Sequence, residues 1–280
     1  GIEEPLAKLT AFLLLLLTAS GVAPAADSAR TDQVRLSLLS ERAAAIPGAT
    51  LWLGLRFELI PHWHVYWRNP GDSGEAPRVD WQLPGGWRAG NIHWPTPQRI
   101  PVGPLVNYGY EDSVTLLVPV AVPPDQSTGA PVDIVADVNW LVCREECIPQ
   151  EARLQISLPV AQASGSPASN PSFDAARAQW PVASPGTAGY LQEDGALTLR
   201  IDATGWTDVQ IAELWFASNS WGPVAPSQPQ AWRFDGDALL LTLPEGEAPV
   251  ATGEPLGGLL VVTESGADGP LTHEKKKLWG

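Results

Sequence analysis

The sequence predicts an all-β protein, a β-sandwich of short antiparallel strands followed by a second, smaller sandwich. Three observations carry this. Leu51, Leu53, Leu55, Phe57 and Leu59 place apolar side chains at every second position, the period of a half-buried strand. The chain of 280 residues holds 28 Pro, 26 Gly and 13 Trp, which suits many short strands broken by turns. Further apolar runs recur along the chain between Gly, Pro and Asp, the spacing of a sandwich.

Taken in order, residues 11–26, AFLLLLLTASGVAPAA, form an apolar run ending in small residues, with Lys8 ahead of it. Residues 1–26 therefore read as a secretory signal peptide cleaved near Ala25 or Ala26. The run is short for a bilayer span. The opening GIEEPLAK lacks an initiator Met, as a fragment or a non-native start would.

Residues 27–160 form the first expected domain. QVRLSLL at 33–39 and TLWLGLRFELI at 50–60 are strands, and Pro61 ends the second. HWHVYW continues extended, NPGDSG at 69–74 is a dense turn cluster, and VDWQL is a short strand before the turn PGGW. IHWPTPQRIPVGP holds too much Pro for a central strand and reads as a loop or edge segment. VTLLVPVAV at 114–122, VDIVADVNWLV at 132–142 and RLQISLPV at 153–160 complete the set. Residues 161–172 are a small-residue linker. Asn170 or Ser172 can cap the short helix FDAARAQW, with Pro171 in its first turn. Residues 173–266 form a second β domain through ALTLRID, VQIAELWFA, ALLLTL and LGGLLVVTE. Residues 267–280 show no pattern and read as an unstructured tail or tag.

A formal net charge of −14 argues against nucleic-acid partners, which demand clustered Lys and Arg, and against anionic lipid. No nucleophile elbow, P-loop or dinucleotide fingerprint stands out. Chemistry concentrates at the two cysteines, in Cys143-Arg-Glu-Glu-Cys147. A strand leads into Cys143 and another starts after Pro149. A hairpin with a three-residue loop would bring the Cα atoms to about 4.5–5.5 Å, within reach of a disulfide. So small a ring contributes only about 2 kcal/mol by loop closure, which favours a redox role over a structural one. In an exported chain a staple, a redox pair and a metal site all stay open. Arg144 would stabilise a thiolate, and Glu145, Glu146 and Glu151 would oppose it.

The metal alternative adds His62 and His64, which share a face if they lie on one strand. With Cys143 and Cys147 they would make a tetrahedral set for zinc or Cu(I). The cysteines are distant in sequence, Met is absent, and the His pair also suits packing beside Trp63, Tyr66 and Trp67.

The strings HWHVYWRNPGDSGEAPRVDWQLPGGW, IHWPTPQRIPVGPLVNYGYED and WLVCREECIPQEA resemble the N-terminal region of the DsbD/ScsB thiol–disulfide interchange family. The likeness covers roughly residues 33–160, and the second β region more loosely. It is nearest the ScsB branch, linked to copper tolerance. The resemblance implies an immunoglobulin-like sandwich in the periplasm, acting as a component of a protein-disulfide reductase. It implies no organic cofactor, because the sulfurs hold the electrons. Electrons would arrive from a membrane domain through an upstream thioredoxin-like domain. They would leave to thioredoxin-fold proteins such as ScsC- or DsbC-like isomerases, or to peroxiredoxins. By the same resemblance Cys143 and Cys147 are the redox pair, with Cys147 forming the mixed disulfide and Cys143 resolving it. Val106, Asn107, Tyr108, Gly109 and Tyr110 match a cap loop, with Tyr108 as its shielding ring. Some family members space the cysteines further apart and carry Phe where Asn107 stands.

Overall fold

The computed structural model describes residues 26–162, 170–183, 187–206, 210–251, 253–266 and 269–279. The expected signal segment, apart from Ala26, and most of the expected linker lie outside these residues.

The first sandwich comprises β1 (Ser28–Arg30), β2 (Val34–Ser40), β3 (Thr50–Leu59), β4 (His64–Gly71), β5 (Arg78–Gln82) and β6 (Arg88–Ala89). It continues through β7 (Gln98–Val102), β8 (Leu105–Glu111), β9 (Ser113–Ala121), β10 (Val132–Cys143) and β11 (Cys147–Leu158). One sheet runs β1-β2-β3-β9-β6, and the other runs β11-β10-β4-β8-β7 with β5 paired to β10. The alternation seen in β3 buries Leu51, Leu53, Leu55 and Phe57. They face Val138, Trp140 and Val142 of β10 across the core, where the rings of Phe57 and Trp140 meet edge-on at 5.7 Å. Each apolar side chain so buried contributes roughly 1.5–3 kcal/mol. Pro101 sits in β7, the edge position that tolerates a missing N–H.

Helix α1 (Pro171–Ala178) is capped by Asn170, whose side chain accepts from Ser172 N at 3.2 Å. Placed by its sequence at the start of the second domain, it packs instead on the first sandwich. Phe173 and Ala176 cover Leu117 of β9, and Gly54 of β3 leaves the space that the Phe173 ring occupies.

The second sandwich holds β12 (Val182–Ala183), β13 (Ala188–Glu193), β14 (Ala196–Asp202), β15 (Ile211–Ser218), β16 (Ala231–Asp235), β17 (Ala238–Pro244), β18 (Gly258–Gly266) and β19 (Gly269–Trp279). Its sheets run β12-β19-β18-β15 and β13-β14-β17-β16. The tail expected to lack structure thus supplies β19, which pairs along β18 from Gly258↔Trp279 to Gly266↔Gly269. Backbone pairing forms this strand without an alternating pattern in its sequence.

The sheet containing β15 and β18 is buried on both faces. Leu214, Phe216, Leu260 and Val262 point into the second sandwich, while Trp215, Ala217, Leu259 and Val261 join the core of the first. Among the described residues no helix is long and apolar enough to cross a membrane.

Candidate functional site

β10 and β11 pair without interruption from Val132↔Leu158 to Cys143↔Cys147, so the cysteines close the hairpin. Residues 144–146 form the loop, fixed by Arg144 N donating to Glu146 O at 3.0 Å. A disulfide joins Cys143 to Cys147 with the Cα atoms 4.2 Å apart, a little closer than the span expected of this hairpin. The two sulfurs have different surroundings. Cys143 is 2% exposed, whereas Cys147 is exposed.

Alternation explains which face they occupy. Trp140 and Val142 point into the core, so Cys143 lies on the outer face of its sheet. It pairs with His64 of β4. His64 and Tyr66 share that outer face, because Val65 and Trp67 between and beyond them are core. Both are nevertheless buried, and residues 72–74 fold back onto β8 and the Tyr66 ring. Asp72 N donates to Val106 O at 3.0 Å, and Val106 N donates to the Asp72 carboxylate at 2.8 Å. Ser73 Oγ donates to Asn107 Oδ1 at 2.9 Å. Gly74, at φ +95°, lies against the Tyr66 ring so closely that a Cβ there would collide with it.

A polar chain beneath this cover ends on sulfur. Asn107 Nδ2 approaches His64 Nε2 at 3.3 Å and the Tyr66 hydroxyl at 3.4 Å. The Tyr66 hydroxyl lies 3.4 Å from Cys147 Sγ, and since a disulfide sulfur carries no hydrogen the phenol donates. Burial pushes Tyr66 up to about 12, against the opposing pull of a Ser73 hydrogen bond, so its proton stays in place at neutral pH. Burial lowers His64 to about 4, leaving a neutral imidazole.

The other expected site residues fall as follows. Val106, Asn107, Tyr108, Gly109 and Tyr110 lie inside strand β8, not in a loop over the sulfurs. Strand alternation sends Asn107 to the disulfide face and Tyr108 and Tyr110 to the core. The Tyr108 ring stacks on Trp215 at 5.5 Å and meets Trp67 edge-on, so it is not the ring beside the sulfurs; Tyr66 is. The Tyr110 hydroxyl donates to Pro95 O at 2.7 Å. Gly109 permits β4 to approach, since a Cβ would strike Val65 O. Arg144 lies over the Trp63 ring at 5.5 Å, and Glu145 and Glu146 are exposed. His62 is in a turn at φ 70° and exposed, so it does not share a strand face with His64. Among the described residues no group of three or more His, Cys, Asp and Glu is placed to hold a metal ion. Sequence reasoning missed Ser73 and Gly74, and read Tyr66 only as packing. The turn-rich NPGDSG string was the available signal for the first two.

Fold and site together define an immunoglobulin-like β-sandwich that presents a half-accessible disulfide at a hairpin end. Residues 35–159 match the family model described as thiol:disulfide interchange protein DsbD, N-terminal. This part of the chain, a little under half of it, is thus similar to the DsbD N-terminal domain family. The crystal structure of the N-terminal periplasmic domain of ScsB from Proteus mirabilis superposes with a TM-score of 0.59 at 18% identity. That match covers 89% of this chain and 93% of that one, so the shared fold runs through both sandwiches. The Escherichia coli adhesin FdeC aligns over 90% of this chain and 65% of its own at 12% identity, with a TM-score of 0.24 that carries no argument. No curated protein matches the chain by sequence.

Proposed function

We propose that this chain is a periplasmic thiol–disulfide exchange module whose Cys143–Cys147 bridge cycles between disulfide and dithiol. The observation that carries this reading is the unequal exposure of the two sulfurs: Cys147 is open to attack and Cys143 is 2% exposed. Exchange needs a sulfur that an attacking thiolate can reach, and the unequal exposure selects Cys147 as that sulfur, leaving Cys143 as the leaving group.

The cycle balances without an organic cofactor. A thiolate from an upstream thioredoxin-like domain attacks Cys147 Sγ, the Cys143–Cys147 bond breaks, and Cys143 leaves as a thiolate that takes a proton. The donor's second thiolate then attacks its own sulfur in the mixed disulfide and releases Cys147. Two electrons and two protons have entered the chain. In the forward step the Cys147 thiolate attacks a disulfide on a thioredoxin-fold partner, an isomerase or a peroxiredoxin, and Cys143 resolves the adduct. The Tyr66 phenol donates to Cys147 whenever that sulfur carries charge, which strengthens the bond. The Tyr66 ring, held by Gly74, takes the place beside the sulfurs that the family resemblance assigned to Tyr108.

The test is a trapping experiment. A Cys143→Ser chain should hold a thioredoxin-fold partner in a mixed disulfide through Cys147, and Cys147→Ser should hold none. Equal trapping by both variants, or by neither, removes the assignment.

A further inference from the structure

Asn69 joins the second sandwich to the redox site. β4 and β8 pair at Tyr66↔Gly109 and again at Gly71↔Asn107, so residues 67–70 bulge opposite Tyr108 alone. Asn69 sits on this bulge and is 2% exposed. Its Nδ2 donates to Ser218 O at 2.8 Å and approaches Ser220 O at 3.2 Å and Ser218 Oγ at 3.3 Å, all in the second sandwich. Its Oδ1 accepts from Gly71 N at 3.1 Å, shaping the turn at φ +86° that starts the cover. Arg68 next to it bonds the Asn219 side chain. The receiving loop is itself anchored, because Asn219 N donates to Gly257 O at 2.9 Å and Ser218 Oγ to Ser220 O at 2.6 Å.

We infer that Asn69 is a positioning residue through which the second sandwich holds residues 72–74 over Tyr66, the side chain that reaches Cys147. The second sandwich is therefore a working part of the exchange site and not a spacer. A bulge bends its strand and leaves backbone unpaired. Here one buried amide serves both sides: its Oδ1 accepts from the backbone at Gly71 N, and its Nδ2 is held by the neighbouring sandwich. Hydrogen bonds run from Ser218 and Ser220 to Asn69 and on to Gly71, the backbone continues through Asp72 to Ser73, and hydrogen bonds resume from Ser73 to Asn107, Tyr66 and Cys147. If the amide is lost, the turn loses its anchor, Gly74 lifts from the Tyr66 ring, and the freed ring leaves Cys147 less hindered, so small thiols reach it faster.

This role rests on the exchange reading for its purpose, but its test does not use a partner protein, so the two fail separately. Three variants of the full chain are compared for the rate at which dithiothreitol reduces the bridge. Asn69→Asp is isosteric and keeps the acceptor for Gly71 N, but it faces the Ser218 and Ser220 carbonyls with a carboxylate. Asn69→Ala loses both bonds. Leu241→Ala weakens the second core away from the clamp. Both Asn69 variants should be reduced about tenfold faster than the parent, as loss of a buried hydrogen-bond partner implies, and Leu241→Ala at the parent rate. The Tyr66 phenol, read by tyrosinate absorbance against Tyr66→Phe, should fall from about 12 toward its ordinary value in Asn69→Asp. A parent-like rate in Asn69→Asp confines the role to the local turn and overturns the inference. Equal acceleration by Leu241→Ala does so too, by reducing the effect to general loosening. If Asn69→Ala does not fold, the isosteric variant decides alone.

Discussion

The hydroxyl of Tyr66 lies 3.4 Å from Sγ of Cys147, and the ring that carries it is pressed beneath Gly74. One side chain thus links the solvent-facing sulfur to the segment that shelters it. The geometry follows from a strand face: His64 and Tyr66 of β4 and Asn107 of β8 all point away from the sandwich core, where Ser73 bonds Asn107 and Gly74 packs on Tyr66.

Removing only the Tyr66 hydroxyl isolates its electrostatic part. Tyr66→Phe keeps the ring under Gly74 and deletes the donor to Cys147. In a Cys143→Ser background the Cys147 thiol should be alkylated roughly tenfold more slowly at neutral pH, the effect of losing a hydrogen bond to a charged group. An unchanged iodoacetamide rate would show that the phenol does not support the thiolate.

Gly74 sits where a side chain has neither the backbone conformation nor the room. At φ +95°, with the Tyr66 ring in the path of a Cβ, Gly74→Ala should destabilise the first sandwich by about 1–3 kcal/mol. It should also speed reduction of the bridge by small thiols. Denaturant melts and a dithiothreitol time course check the two effects, and a parent-like rate would separate the cover from access to the sulfurs.

Much of this arrangement was written locally. The alternation in TLWLGLRFEL and the three-residue spacing of the cysteines produced β3 and the β10–β11 hairpin. The segment VNYGY also alternates, which is why Asn107 and Tyr108 separate to opposite faces; a family likeness alone hid that division. NPGDSG announces a turn but not the distant surface it folds onto, so the cover over Tyr66 could not be read. AGYLQE and AWRFD became β13 and β16 with mostly exposed side chains, edge strands defined by pairing more than by hydrophobic pattern. LWFA in β15 and LLVV in β18 are unbroken apolar runs, the mark of strands buried on both faces. Read from sequence alone, both runs are ordinary strands of the second domain, so the contact between the sandwiches is present in the pattern but not drawn from it.

His64 gives the fold a dependence on acid. Its folded-state pKa of about 4 lies below the ordinary 6.5, so between these values the unfolded chain binds the extra proton. Stability contributed by this group is complete above pH 6.5 and is lost as pH falls toward 4. His64→Gln, which cannot titrate, should flatten that part of the profile. Denaturant melts across this range, parent against variant, measure it; parallel profiles would remove His64 as the source.

Trp215 tests whether the two sandwiches act as one body. It is 3% exposed, its ring stacks on Tyr108 at 5.5 Å, and the Arg99 guanidinium lies 5.7 Å from its centre. Trp215→Ala removes this contact from an interface that also includes Ala217, Leu259 and Val261. A buried Trp→Ala change costs about 3–5 kcal/mol. The loss falls on the interface, since the side chains filling the second core, Leu214 and Phe216, point the other way. Calorimetry should therefore show the parent melting in one transition and the variant in two, with the sandwiches tumbling more independently by NMR relaxation. A variant that keeps a single transition at the parent temperature would mean that the stacked pair does not couple them.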